Sequence, residues 1–321
     1  MTILRVRHTT TYNYAEPVRF GEHRLMFRPR DSQEQRLLSS ELKIDPVPAD
    51  IHWIHDVFGN CITIARFETA ASELRFETSI VLDHTPNHGP SFRIEERAKL
   101  WPFEYGDEQL PDLAPYLQVH HPDPSLDEWA RRFVPPALET PTGHLLATIT
   151  AAIRESFTYS RRTDPGTQLP AETLALRQGT CRDFAWLMIE ACRVLGLAAR
   201  FVTGYIYVPA RDTGTLRGGG ATHAWVQVFL PGAGWVEFDP TNGIVGSRDL
   251  IRVGVAPRPM QARPLSGSYV GDRADYLGMS VDVRVTTDSG LEQERQRAQQ
   301  AGNRLRRRSD DPHATSSTAP S

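Results

Sequence analysis

Apolar and polar residues alternate with a period of two along most of the first 85 residues, a pattern typical of β-strands that bury one face. The candidate strands span residues 3–14, 37–44, 51–57, 61–67 and 74–82. The turn at Gly59-Asn60 lies between the third and fourth strands and predicts a β-hairpin. We therefore expect an antiparallel sheet or sandwich over residues 1–85.

Residues 86–140 lose this alternation, because prolines interrupt a series of short apolar pieces. This composition predicts a connector with one or two short helices, one of them at residues 126–133. A structureless loop of this length would be unusual in a compact protein, so we expect the connector to pack on its neighbours.

From Thr142 onwards the apolar positions recur at helical spacing. The pattern predicts helices at residues 142–157, 171–176 and 181–195, followed by strands at 199–208, 223–230 and 234–239. A Pro231-Gly232-Ala233-Gly234 turn joins the last two strands into a hairpin. Helices followed by consecutive strands predict an α+β domain over residues 141–285. Residues 286–321 are polar, and we expect a disordered tail there.

The composition is that of an ordinary soluble globular protein, with 40% hydrophobic and 23% charged residues. The net charge of −3 gives no electrostatic reason to expect nucleic acid or a membrane as partner. No apolar run approaches the ~20 residues of a membrane span, and residues 1–7 lack the apolar stretch of a secretory signal. Three widely separated cysteines argue against a disulfide framework. Together these features predict a cytoplasmic protein with free thiols.

Cys181 lies between a Gly179-Thr180 turn and the helix predicted from residue 181. Thr180 and Asp183 have the spacing of a capping box, which places Cys181 in the first helical position. The positive end of the helix dipole favours a thiolate over a thiol there. We therefore interpret Cys181 as a candidate nucleophile.

His223 and Asp239 supply the other two groups of thiol catalysis, a proton carrier and a carboxylate that orients it. If the hairpin folds about residue 231, these two residues face each other across the strands, with Cβ atoms about 5 Å apart. Glycines 218–220 before His223 favour a flexible loop. The expected oxyanion donor is the backbone N–H of Cys181, and the sequence indicates no second donor.

The other thiols and histidines have simpler interpretations. Cys192 lies on the apolar stripe of its helix and Cys61 in a strand, so we expect both to be structural. His120-His121 and the pair His52 and His55 lack the cysteine or carboxylate that would complete a metal-ligand set. No calcium loop of the Asp-x-Asp-x-Asp kind is visible. We expect no cofactor, and an activity that is independent of metal.

Four stretches of the chain resemble the core motifs of the transglutaminase-like superfamily, at residues 179–185, 198–205, 222–226 and 234–241. The N-terminal strands resemble the β domain that precedes this core in bacterial members, at residues 8–14, 17–18, 28–30 and 56–60. The resemblance extends from residue 3 to residue 285. It implies a papain-like α+β core with a triad of Cys181, His223 and Asp239.

The resemblance also implies a cysteine enzyme that acts on amide bonds of proteins or peptides through a thioester. The neighbours of Cys181 differ from the Gly-Gln-Cys-Trp motif of the animal cross-linking branch, which weakens the case for cross-linking. Neither the role of the N-terminal β domain nor the oligomeric state is indicated. We favour hydrolysis, by a peptidase or amidase. The alternatives are a cross-linking transglutaminase, an arylamine-type acyltransferase with a coenzyme A donor, and a non-catalytic binding module.

Overall fold

The computed structural model describes residues 2–85, 93–136, 139–160, 166–208 and 220–287. Within these ranges the chain has the predicted α+β class, with strands at the N-terminal end and helices followed by an antiparallel sheet after residue 140. Glycines 218 and 219 of the expected flexible loop, and residues 288–321 of the expected tail, lie outside the described residues.

Two antiparallel sheets form the N-terminal β domain that the alternation predicts. Their strands are β1 (Thr2–Phe20), β2 (His23–Leu25), β3 (Gln35–Asp45), β4 (Asp50–His55), β5 (Cys61–Arg66) and β6 (Ala70–His84). One sheet contains β3, β6 and β1 in that order, and the other contains β2, β5 and β4. Inward-facing side chains of both sheets, among them Phe20, Leu25 and Phe76, share one apolar cluster. The predicted hairpin is present, since β4 and β5 pair along their whole length.

The proline-rich segment packs on the rest of the molecule. It contains a 3-10 helix (Glu96–Ala98), β7 (Leu100–Trp101), α1 (Leu110–Leu117), α2 (Pro124–Arg131) and β8 (Thr140–Pro141). Helix α2 begins at Pro124, earlier than predicted, because the Asp123 side chain caps the N–H of Ser125 and proline suits the first helical position. Tyr105 and Trp101 donate hydrogen bonds to main-chain carbonyl oxygens of the later sheet and helix region.

The helical region consists of α3 (Thr142–Ser156), α4 (Pro170–Leu176) and α5 (Cys181–Val194), with a short parallel pair of β9 (Thr158–Tyr159) and β10 (Gln178–Gly179). The core sheet that follows contains β11 (Ala199–Ile206), β12 (His223–Leu230), β13 (Gly234–Asp239), β14 (Ile244–Val245) and β15 (Leu250–Ala256). Its antiparallel order is β14, β13, β12, β11, β15. Phe201, Val226 and Val228 on one face of this sheet pack with the buried helix α5. No helix of the described residues is both long and apolar enough to span a membrane.

The last strands return to the N-terminal domain. They are β16 (Leu265–Ser266), β17 (Tyr269–Val270) and β18 (Tyr276–Thr287). Strand β18 lies antiparallel to β1 from Leu4↔Thr287 to Tyr14↔Tyr276. This pairing differs from the expected division of the chain, which assigned residues up to 285 to the core and the rest to a tail. Sequential elements usually neighbour each other, so no local pattern pointed to a partner at the other end of the sequence.

Two side-chain amides of the N-terminal domain cap the outer edge of the core sheet. Strand β15 lies at that edge, where backbone groups lack a partner strand. Asn60 accepts the N–H of Val255 at 2.9 Å and donates to its carbonyl oxygen at 2.7 Å. Gln35 does the same for Arg252, at 3.0 and 2.7 Å. Asp56 accepts the backbone and side-chain N–H groups of Asn60, so the stretch at residues 56–60 is a docking element.

Replacing Gln35 by alanine leaves the N–H and carbonyl oxygen of Arg252 without these partners. We expect the free energy of unfolding to fall by about 2–3 kcal/mol, because unsatisfied, partly buried backbone groups are costly. Gln33 is an exposed residue of the same type on the same segment, and its replacement by alanine should change stability by less than about 0.5 kcal/mol. Urea titrations followed by circular dichroism compare the two, and equal stabilities would contradict the capping role.

Candidate active site

Cys181 occupies the first position of α5, as the capping box predicts. One oxygen of Asp183 accepts the N–H and the hydroxyl of Thr180, both at 2.8 Å, and the other accepts the N–H of Gln168 at 2.7 Å. These bonds fix the start of the helix and, with it, the Cys181 thiol. The residue is only 7% exposed, so the thiol lies nearly buried at the positive end of the helix dipole.

The hairpin that carries His223 and Asp239 has a register different from the predicted one. Gly234 is the first residue of β13, as predicted, and pairs with Leu230, so the hairpin folds about residue 232 and not about residue 231. Continuing this register places Asp239 opposite Trp225, as a diagonal neighbour of His223. The predicted direct pairing is therefore wrong. The two residues still lie on the same face of the sheet. Side chains alternate between the faces along a strand, and the pairing differs from the predicted one by an even number of residues.

Asp239 is completely buried and accepts three hydrogen bonds. Its Oδ2 atom accepts hydrogen bonds from His223 Nε2 and from the side-chain amide of Asn242, both at 2.8 Å. Its Oδ1 atom accepts a hydrogen bond from the N–H of Thr241 at 2.9 Å. Burial on its own would raise the pKa of Asp239, but the charge of His223 and these hydrogen bonds hold it below its ordinary value. Asp239 is therefore a carboxylate, well supplied with donors.

His223 lies between this carboxylate and the Cys181 thiol. Burial would lower its pKa, but the Asp239 carboxylate and the nearby thiol raise it to about 10. Nε2 faces Asp239, whereas the buried Nδ1 atom has no hydrogen bond of ordinary geometry to any described residue. The nitrogen left to face the thiol is Nδ1. The structure thus brings the three predicted residues together, with a protonated imidazole in the middle.

Three further residues shape this site. Asn242 lies within 3.5 Å of His223 Nε2 while it binds Asp239, and the short amide after a strand-ending Asp-Pro was the only sequence signal for it. The indole of Trp225 stacks beside the His223 ring, with the centroids 5.9 Å apart. Gly204 pairs with His223 across the strands, and a Cβ atom there would collide with the Trp225 indole. Close approach of this kind leaves no local pattern in a sequence.

Comparisons with known proteins cover most of the chain. A model of the transglutaminase-like superfamily matches residues 129–240, and a model of the bacterial transglutaminase-like N-terminal region matches residues 4–83. An uncharacterized protein of Mycobacterium tuberculosis is 30% identical over 297 residues, which cover 87% of this chain and 91% of that protein. The chain belongs to the transglutaminase-like superfamily. An uncharacterized Mycobacterium leprae protein is 27% identical over 288 residues, covering 87% and 98% of the two chains.

A solved structure agrees with the transglutaminase-like fold. It is a provisionally assigned cysteine protease from Cytophaga hutchinsonii, with 19% identity and a TM-score of 0.66. The match covers 89% of this chain and 91% of that one. Because it includes the N-terminal strands as well as the core, the likeness confirms the fold of both parts.

The other candidate residues of this transglutaminase-like chain lie outside the site. Cys192 is buried in α5, and burial raises the pKa of its thiol to about 12. Cys61 lies 3.6 Å from Nε2 of His55 in the N-terminal domain. His120 and its neighbour His121 donate their backbone N–H groups to the buried Glu190, both at 2.8 Å. No group of three or more potential metal ligands occurs among the residues that the structure describes.

The pKa values of two buried histidines are shifted in opposite directions. The pKa of His223 is raised to about 10, from an ordinary value of 6.5, so its ring should stay protonated through neutral pH. Burial lowers the pKa of His8 to about 4, against the opposing charge of Asp282, so that ring should stay neutral. The stability contributed by His223 is therefore fully present below pH 6.5 and is lost as the pH rises towards 10.

Nitrogen chemical shifts of the imidazole rings, recorded by NMR across this range, measure both titrations. His8 serves as the internal control, since its ring is also buried but faces no carboxylate hydrogen-bond partner among the described residues. A His223 ring that is neutral at pH 7 would contradict the ion pair with Asp239.

Proposed function

We propose that this protein is a cysteine enzyme that hydrolyses amide bonds of proteins or peptides through a thioester on Cys181. The observation that carries the proposal is the buried His223–Asp239 hydrogen bond, which commits Nε2 to the carboxylate and leaves Nδ1 for the Cys181 thiol at the helix N-terminus. Proton exchange with the thiol and the substrate is the chemistry that this arrangement supports.

In the first half-reaction the Cys181 thiolate attacks the carbonyl carbon of the amide, and the carbonyl oxygen becomes an oxyanion. The backbone N–H of Cys181, at the first helical position, lacks an acceptor within the helix and is placed to stabilise that charge. The His223 imidazolium gives its Nδ1 proton to the leaving nitrogen, the C–N bond breaks, and a thioester remains. The products of this step are a free amine or ammonia and a neutral imidazole.

In the second half-reaction the neutral imidazole accepts a proton from water as the water oxygen attacks the thioester. The tetrahedral intermediate collapses, the C–S bond breaks, and the carboxylic acid leaves. Thiolate and imidazolium are restored. Asp239 stays ionised throughout and keeps Nε2 protonated, so that Nδ1 always faces the reaction. An amine acceptor would use the same residues and would form a new amide instead.

Replacing Cys181 by alanine should abolish turnover, because no thioester can form. Replacing Asp239 by asparagine should lower kcat by about 10²- to 10⁴-fold, since the imidazole loses its orienting carboxylate. Cys61→Ala is the matched thiol control, and it should retain the activity of the natural protein. Initial rates of amide cleavage on a peptide library measure all three. A Cys181→Ala variant as active as Cys61→Ala would refute the assigned nucleophile.

The acceptor is identified by the product. Incubation of the protein with a peptide library in ¹⁸O-labelled water, with and without an added primary amine, separates the two reactions by mass. We expect labelled carboxylates in both samples, because water is the proposed acceptor. Products that carry the added amine would show that the protein transfers the acyl group to amines, and the proposed activity would then be cross-linking and not hydrolysis. Absence of any product, together with an unreactive Cys181, would favour a binding module that has kept the fold.

A further inference from the structure

A hydrogen bond connects the N-terminal sheet to the segment that leads into the histidine strand. The N–H of Val283 in β18 donates to the carbonyl oxygen of Gly220 at 3.1 Å, and the two residues form an isolated antiparallel bridge. Gly220 has a φ of +83°, a conformation that favours glycine, and β12 begins shortly after it at His223. The N-terminal domain therefore holds the chain directly before the candidate proton carrier.

A second hydrogen bond reaches the neighbouring strand. His8 Nδ1 lies 3.1 Å from the hydroxyl of Tyr205, near the end of β11. Tyr205 follows Gly204, the residue paired with His223 across the two strands. His8 is itself directly opposite Val283 in the β1–β18 ladder. The paired residues His8 and Val283 of the N-terminal sheet thus contact β11 and the segment that leads into β12, close to His223.

Burial makes the contact between His8 and Tyr205 rigid, and it covers Val283 but not Gly220, the exposed acceptor of the Val283 N–H. His8 and Tyr205 are each 1% exposed, and Val283 is 5% exposed. The other His8 nitrogen lies 2.9 Å from the hydroxyl of Thr10, so both ring nitrogens have partners. Rotation of the ring would leave polar atoms unpaired in a buried position, which is costly. His8 and Val283 are therefore fixed points, against which β11 and the entry to β12 are placed.

We propose that His8 and Val283 are positioning residues for His223, and that the N-terminal β domain thereby aligns the candidate proton carrier with Cys181. The inference rests on the proposed function, because it assigns a role in the same reaction. Cys181 is held by its own helix cap, whereas the strand that carries His223 is held from the N-terminal sheet. Displacement of a reacting group by about 1 Å can cost as much as 10²-fold in rate. Docking of the domain therefore controls the distance between imidazole and thiol.

Val283→Pro tests the first contact in the full chain. The N–H of Val283 points away from β1, and proline is tolerated where the N–H of a strand residue faces outwards, so the substitution removes the bond to Gly220 and leaves the pairing with β1 intact. It also replaces a buried valine side chain, a change that Val281→Pro makes at a less buried position of the same strand. Val281→Pro is the matched control. Its N–H points to the same side of β18 and donates to no residue among those described. Urea unfolding shows whether both variants fold.

The readout is the rate at which iodoacetamide modifies Cys181, followed by peptide mass spectrometry between pH 4 and 10. The natural protein should react faster at pH 6 than His223→Ala, because the imidazolium lies beside the reacting sulfur. Val283→Pro should lower the rate at pH 6 by about tenfold and move the profile towards that of His223→Ala. Val281→Pro should keep the natural profile. Because Val281→Pro alters the same strand, its profile shows how far a loss of stability alone moves the rates.

A Val283→Pro profile equal to that of Val281→Pro would overturn the inference. If Val283→Pro does not fold, Tyr205→Phe decides instead, since it deletes only the hydroxyl that His8 contacts. That variant should shift the profile in the same direction, and an unchanged profile would again overturn the inference. If the natural protein already reacts like His223→Ala, the proposed function fails rather than the positioning role.

Discussion

A carboxylate without exposed surface, Asp239, is the constraint on which the site depends. An unpaired charge at such a depth would destabilise the fold by several kcal/mol, so the surrounding chain must supply donors. His223, Thr241 and Asn242 do so from the start of one strand and from the turn after another. The geometry that keeps the molecule folded is thus the geometry that orients the imidazole. Stability and the candidate chemistry share the same hydrogen bonds.

The N-terminal domain and the core form one structural unit, although the family models match them as two separate stretches. Gln35 and Asn60 use their side-chain amides where a further strand would otherwise pair with β15. This closes the exposed edge of the core sheet without adding a strand. The stretch at residues 56–60 therefore serves docking of the N-terminal domain on the core sheet.

Local signals in the sequence were sufficient for the fold class and for the order of the main helices and strands from residue 142 to residue 239. Strands β14 and β15 of the core sheet were not predicted. The capping box at Thr180 and Asp183 placed Cys181 at a helix start, and period-two alternation placed His223 and Asp239 on one face. The register was wrong because the hairpin folds about residue 232, midway between the paired Leu230 and Gly234, and not about residue 231. The roles of Asn242 and Gly204 depend on contacts made only after folding. The partner of β18 lies at the far end of the sequence, where no local pattern can indicate it.

Strand β1 pairs with β6 on one side and with β18 on the other. The core is thus an insertion between strands of a single sheet. During synthesis β1 leaves the ribosome long before β18, and until residue 287 is made its outer edge can pair with other chains. This sheet can be completed only after the whole core has been synthesised. Protein quality control therefore encounters a chain whose transglutaminase-like core is already synthesised while one edge of its first strand still lacks a neighbour.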